Sequence, residues 1–186
     1  MLKRFAVVTM GMALLAAVAV AQQNAPAAAA PTVGAVLDRQ LALLEKEMVP
    51  MGTDMPAAKF DFVPSGVGDF KGVRNFGDQL KHVATVNYRV SGAILRERPP
   101  MPADMASVKS KDEIVKFLQD SFAYAHKAFA SVTEKNLVEE IPALSGNGMT
   151  TRLWLATLLI GHDRDHYGQL VVFLRMNGII PPASRH

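Results

Sequence analysis

The chain has 186 residues, 49% of them apolar, with 20 Lys or Arg, 17 Asp or Glu and no Cys. That length and apolar share fit one domain with a real hydrophobic core. The missing cysteines exclude disulfides, thiolate metal ligands, a cysteine nucleophile and a lipid anchor on cysteine, and the near balance of charge, with no basic stripe interleaved with aromatics, leaves no electrostatic case for nucleic acid.

Met1 to Ala21 reads as a secretory signal peptide. Lys3 and Arg4 form its charged start, Phe5 to Val20 its apolar run, and Ala19-Val20-Ala21 a small-x-small cleavage pattern. The competing reading is an uncleaved anchor, for which the run is short. Cleavage after Ala21 removes Lys3 and Arg4 and leaves a net charge of about +1. The expected location is secreted or periplasmic in a bacterial envelope, with no stable membrane insertion once the leader is gone. Residues 22–32 form an Ala/Pro-rich linker, and residues 33–186 are expected to be the folded domain.

Four amphipathic helices follow. The first is expected from Val33 to about Val49, with Val33, Val36, Leu37, Gln40, Leu41, Leu44 and Met48 on one face and Pro50 and Gly52 as its stop. Met51 to Val73 is a long Pro/Gly-rich connection with Phe60, Phe62 and Phe70 as anchors, and long loops often border a site. The second helix starts at Asn75, a capping residue, with Asp78 in the position of a capping-box acid. Phe76, Leu80, Val83, Asn87, Val90 and Ile94 form its apolar face, and Pro99-Pro100 closes it. The third opens on the capping box Ser110-Lys111-Asp112-Glu113 and runs to Phe129. Val138 to Met149 reads as a loop. The fourth begins near Thr150 or Thr151 and stops at Asn177-Gly178. With no alternating strand pattern, the expected fold is all-α, an antiparallel four-helix bundle, in simple up-down order or with a crossover.

The fourth helix carries His162 and His166, four residues apart and so on one helical face. Leu155, Leu158, Leu159, Leu170 and Phe173 recur on that side, which turns the pair toward the interior. Buried imidazole nitrogens need partners, and a divalent metal or neighbouring hydrogen-bond groups can serve. Zinc, nickel, iron and manganese all accept imidazole, so spacing does not choose among them. A catalytic site needs a third protein ligand. His82, on the second helix, is the best candidate, although periodicity places it toward the polar margin. His126 points away from the apolar face of the third helix and reads as a surface residue.

Three stretches carry a family resemblance: Val73-Arg74-Asn75-Phe76-Gly77-Asp78-Gln79-Leu80-Lys81-His82-Val83-Ala84, His162-Asp163-Arg164-Asp165-His166-Tyr167-Gly168-Gln169-Leu170, and the tail Phe173 to Pro182. With Lys59-Phe60-Asp61-Phe62 and Pro64, they cover nearly all of the chain beyond the linker. On these residues the chain resembles the DinB/YfiT-like metalloenzymes of the DinB superfamily. The resemblance implies a four-helix bundle with a divalent metal held by His82, His162 and His166, and thereby makes His82 a ligand. Some relatives are thiol-dependent S-transferases or isomerases. Dimers are common among them, which makes a homodimer the assembly to test, and the family name does not imply DNA binding.

A metal held by neutral imidazoles lowers the pKa of a bound water or thiol, which then serves as a nucleophile near neutral pH. Gln169, three residues past His166, is a candidate helper that orients a substrate, or else a core glutamine bonded to a neighbouring helix. Asp163 and Asp165 read first as solvated charge, with a carboxylate partner for a histidine as the alternative. Tyr88, Asn87 and Arg89 are further pocket candidates by position. A zincin is disfavoured, because Asp163 stands where that motif needs Glu and no later ligand follows. The leading expectation is an exported metal-dependent transferase or hydrolase acting on a small molecule. The alternatives are a non-catalytic metal-binding or interaction module of the envelope, and a plain bundle with hydrogen-bonded histidines.

Overall fold

Thr32 opens the first helix, α1 (Val33–Asp54), by accepting a hydrogen bond from the Ala35 amide at 3.2 Å. The structure is a computed structural model and describes residues 30–66 and 68–185. The signal-peptide reading of residues 1–21, linker residues 22–29 and His186 lie outside the described residues. Leu37, Leu41, Leu44 and Met48 form the buried face of α1. The expected stop at Pro50 is corrected, since the helix continues to Asp54. A mid-helix proline costs about 3 kcal/mol, but Met51 and Met55 beyond it are fully buried. Gly52 lies so close to Val115 and Leu80 that an added Cβ would come within 3.0 and 3.2 Å of them. Lys111 Nζ also binds the free carbonyls of Thr53 and Met55 at 2.6 and 2.9 Å. Packing and capping together outweigh the lost bond.

The connection to the second helix is tied down by its aromatics. The amides of Phe76 and Gly77 donate to the carbonyls of Phe62 and Phe60 at 3.0 and 2.8 Å, and the Phe60 and Phe76 rings meet edge-on at 5.3 Å. Asn75 caps α2 (Phe76–Leu95) as expected, its Oδ1 accepting from the Asp78 amide at 2.7 Å. Asp78 does not complete a capping box and instead pairs with Lys81 at 2.8 Å. α2 ends ahead of Pro99, at Arg96, which takes a left-handed conformation (φ 59°). Gly92 permits the reversal, because a Cβ there would lie 2.9 Å from the Glu97 carbonyl.

The third helix, α3 (Lys111–Ala130), has the complete Ser110/Glu113 capping box. The stretch read as a loop holds a short antiparallel hairpin, β1 (Glu140–Pro142) with β2 (Met149–Thr151), which buries Ile141. Thr151 then caps α4 (Arg152–Met176), and the chain leaves it at Asn177-Gly178.

From Thr32 onward, these elements form one compact unit. α1 packs mainly on α3 and α4, and α2 on α3 and α4. Gly34 faces Val132, and Lys111 reaches Thr53, so α1 and α3 run antiparallel. Gln79 meets Gln169 while Arg152 meets Ile94, so α2 and α4 are also antiparallel. Gly77 abuts Ile114 and Asn87 abuts Ser121, so α2 and α3 run in the same direction. The α2–α3 connection is therefore a crossover. Its result is that the second and last helices, far apart in sequence, become neighbours. Among the described residues no helix is long and apolar enough to cross a membrane.

Candidate metal centre

The antiparallel α2/α4 pair brings His82 opposite His162 and His166. The three ring centroids lie 5.1 Å (His82–His162), 4.9 Å (His82–His166) and 4.5 Å (His162–His166) apart. One ligand atom from each residue falls within 4.8 Å of the other two. Nε2 of His82 and Nε2 of His162 are 3.1 Å apart. Two nitrogens on a tetrahedral zinc at 2.0–2.1 Å would be separated by roughly 3.3 Å, so the pair already has the spacing of co-ligands. His166 is buried, while His82 and His162 are half-buried.

Burial and neighbouring charge favour the neutral form of His82 and His166. Burial, then the charges of His162 and His82, push His166 down to about 4. Burial, with Arg74 and His162 adding to it, also lowers His82. Neutral imidazole is the form that binds metal. Nδ1 of His166 is buried with no hydrogen-bond partner among the described residues, and unpaired buried polar atoms are rare in native folds. The donor set, its spacing and this unpaired nitrogen all fit a divalent cation.

Asp163, expected as solvated charge, is instead fully buried. Its Oδ1 lies 3.2 Å from Nδ1 of His162. Burial raises its pKa to about 6, against the lowering effect of His162 and Asn87, which still leaves it ionised at neutral pH. An ionised carboxylate only accepts hydrogen bonds. The proton of His162 therefore sits on Nδ1, and its Nε2 lone pair is free to face His82. The same carboxylate sets the orientation of Asn87: with the amide turned so that its nitrogen faces Asp163, it donates to both carboxylate oxygens at 3.1 Å, and its side chain lies 3.3 Å from Ser121 Oγ, whose proton goes to the Leu118 carbonyl at 2.7 Å. The result is a buried line from Ser121 through Asn87 and Asp163 to His162.

The sequence did contain a signal for this role. Asp163 stands four residues after Leu159 and seven before Leu170, both fully buried, and so at the centre of the core-facing side of α4. The histidines lie on its flank, toward α2. Leu158, assigned by pattern to the buried side, is 36% exposed for the same reason.

Gln169 is committed within the protein. Its Oε1 accepts from Gln79 Nε2 across the helix pair and its Nε2 donates to Asp165 Oδ2, both at 2.9 Å. Tyr88 stacks on Phe117 at 5.3 Å, inside the core. Arg89 lines a separate surface cavity beside Pro142. His126 corrects the surface reading: it is half-buried, its Nδ1 bonded to Asp38 and its Nε2 to Glu45 at 3.0 Å.

Comparison with known proteins bears on the fold and the family. The chain resembles the crystal structure of a conserved protein from Enterococcus faecalis at 16% identity, with a TM-score of 0.62 and 79% of this chain and 98% of the other covered. It is similar to a DinB-like protein from Bacillus subtilis at 13% identity, with a TM-score of 0.60 and 76% and 92% covered. At these identities the likeness speaks to the fold. A search of curated proteins finds no match. The DinB superfamily model matches residues 20–170, and the chain belongs to that superfamily.

Proposed function

We propose that the chain is an exported metal-binding protein in which His82, His162 and His166 hold one divalent cation and present it to a small anionic molecule, with hydrolysis as the reaction. The observation that carries this reading is the convergence of three imidazoles from α2 and α4, two of them with Nε2 atoms 3.1 Å apart. A divalent cation there supplies Lewis acidity and lowers the pKa of a water or thiol beside it. Water is the nucleophile that an exported site always meets, which favours hydrolysis over thiol transfer.

The chain's own residues orient the partners. Asp163 holds the Nδ1 proton of His162, which fixes that ring's tautomer and direction. A cavity of about 270 Å³ lined by Arg74, Asp78, Lys81, His82, Thr85 and Met105 opens at the His82 edge of the cluster. Lys81 is neutralised by Asp78. Arg74 forms no salt bridge among the described residues, and its charge reaches both His82 and His166. The cavity therefore favours a small molecule bearing a negative charge, with Met105 against its apolar part.

The test is metal analysis of protein purified without chelator. One divalent ion per chain, lost in both His82→Ala and His162→Ala, supports the reading, and a metal-free protein that keeps its fold overturns it. Metal-loaded protein that turns over no ester or other small electrophile, with water or a thiol, points to the non-catalytic envelope module.

A further inference from the structure

Among the described residues, Arg96 is the one non-glycine with a positive φ, 59°. It closes α2: its amide donates to the Ala93 carbonyl at 3.2 Å, and the Glu97 amide donates to the Gly92 carbonyl at 3.0 Å. Glycine is the usual residue at this point of such a helix end, because a left-handed backbone crowds any Cβ. An arginine there is strained, and strain of this kind persists where the side chain has a use. Arg152 pairs with Glu139 and Arg185 with Asp54. The Arg96 guanidinium has no such partner among the described residues.

Arg96 lines a cavity of about 410 Å³ between the end of α2 and β1. Arg89 and Arg98 line it too, and neither forms a salt bridge among the described residues. Arg89 and Arg96 stand seven positions apart, on one face of α2. The acid in the lining, Glu97, is already engaged: its Oε1 accepts from the Tyr124 hydroxyl at 3.0 Å and from Lys127 Nζ at 2.8 Å. The helix end does not call for these cations either, since Arg152 Nε donates to the Ile94 carbonyl at 3.2 Å. Pro142 and Leu144 add an apolar wall. Three cations around one cavity repel each other, and an anion between them relieves that repulsion.

We propose that this cavity binds a phosphate monoester, independently of the histidine cluster. Each guanidinium is a planar fork that holds two oxygens. A carboxylate has only two to offer. A phosphate monoester presents three terminal oxygens and close to two negative charges at neutral pH, which suits three converging forks. Pro142 and Leu144 receive its organic group. Along α2, Arg89 stands about 10 Å beyond His82 and Arg96 about 21 Å, so the two sites lie apart on one helix. The phosphate belongs either to a soluble ester or to a lipid headgroup, and the chemistry of recognition is the same.

Calorimetric titration of the full chain with phenyl phosphate tests it. Saturable binding is expected at pH 7.5, weaker at pH 5.5 where the ester becomes a monoanion, and benzoate should bind at least tenfold less tightly. Arg89→Gln and Arg96→Gly should each weaken phenyl phosphate by about tenfold. Arg96→Gly should at the same time melt about 2 °C above the wild type, because glycine takes the left-handed turn without strain. Phosphatidylcholine vesicles carrying phosphatidic acid separate the two sources. Cosedimentation that falls in both arginine variants identifies a headgroup, and cosedimentation equal in all three proteins, with phenyl phosphate still bound, identifies a soluble ester. No saturable binding of phenyl phosphate, binding that survives both arginine substitutions, benzoate bound as tightly, or an Arg96→Gly variant that melts below the wild type would each overturn the assignment. A phosphate held by a metal at the histidine cluster would survive the arginine substitutions, and a chain without metal leaves the expected results unchanged.

Discussion

Nδ1 of His162 lies 3.2 Å from Oδ1 of Asp163, its immediate neighbour in sequence, and the carboxylate is fully buried where the imidazole is not. This contact links the candidate metal centre to the core. Asp163→Asn keeps the shape of the side chain but removes the charge that holds the Nδ1 proton. Metal affinity is expected to fall by about 10- to 100-fold, measured by competition with a chelating dye. Helix content should stay the same. Unchanged affinity would reduce Asp163 to a packing residue.

Arg74 lines the cavity beside His82 and forms no salt bridge among the described residues. Arg74→Gln is expected to weaken the binding of a small carboxylate such as benzoate to metal-loaded protein by roughly tenfold, the scale of one lost charge-assisted hydrogen bond. Metal content should be unaffected. Titration calorimetry reads both arms, and equal carboxylate affinity in the two proteins would remove Arg74 from the site.

His126 predicts a pH dependence of stability. Burial by itself would lower its pKa, but the hydrogen bonds to Asp38 and Glu45 and their charges outweigh that and raise it. A histidine with a raised pKa in the folded state stabilises fully below its unfolded value, about 6.5, and this is lost as pH rises through the folded value. His126→Gln should therefore melt below the wild type at pH 6 and converge with it at alkaline pH. Its carboxylate partners are more than a third exposed, which limits the gap to about 1 kcal/mol. A gap that widens with pH would contradict the assignment.

Gly34→Ala should be destabilising. A Cβ at that position would lie 2.6 Å from the Val132 carbonyl and 2.8 Å from that of Phe129. Backbone atoms cannot give way as a flexible side chain can, so α1 must shift off the end of α3. The expected loss is about 1–3 kcal/mol, read by urea denaturation, despite the better helix propensity of alanine. A neutral or stabilising result would mean that α1 and α3 can part at this end without loss.

Helix boundaries were legible where the signal is local. Asn75, the Ser110/Glu113 box, Thr151 and Asn177-Gly178 each act on groups a few residues away. Pro50 misled because what carries the helix past it comes from elsewhere: Val115, Leu80 and Lys111 are all distant in sequence. The hairpin went unseen because strands of three residues, one of them Pro142, leave no alternation to read. The histidine pair on α4 was visible from spacing. His82 was not, since its position depends on which helix α2 faces, and that is set by the crossover. Asp163 was misjudged because the buried side of α4 was centred on the histidines, when its true centre is Leu155, Leu159 and Asp163.

His82 and His162 are separated by 80 positions along the polypeptide, and all of α3 and the hairpin lie between them. An ion gripped by both would therefore close a long loop of the unfolded chain, at an entropic cost that grows only slowly with its length. The consequence is thermodynamic: binding of the ion would add to the stability of the α2–α4 pairing, and a chelator that removes it would lower the melting temperature of the fold.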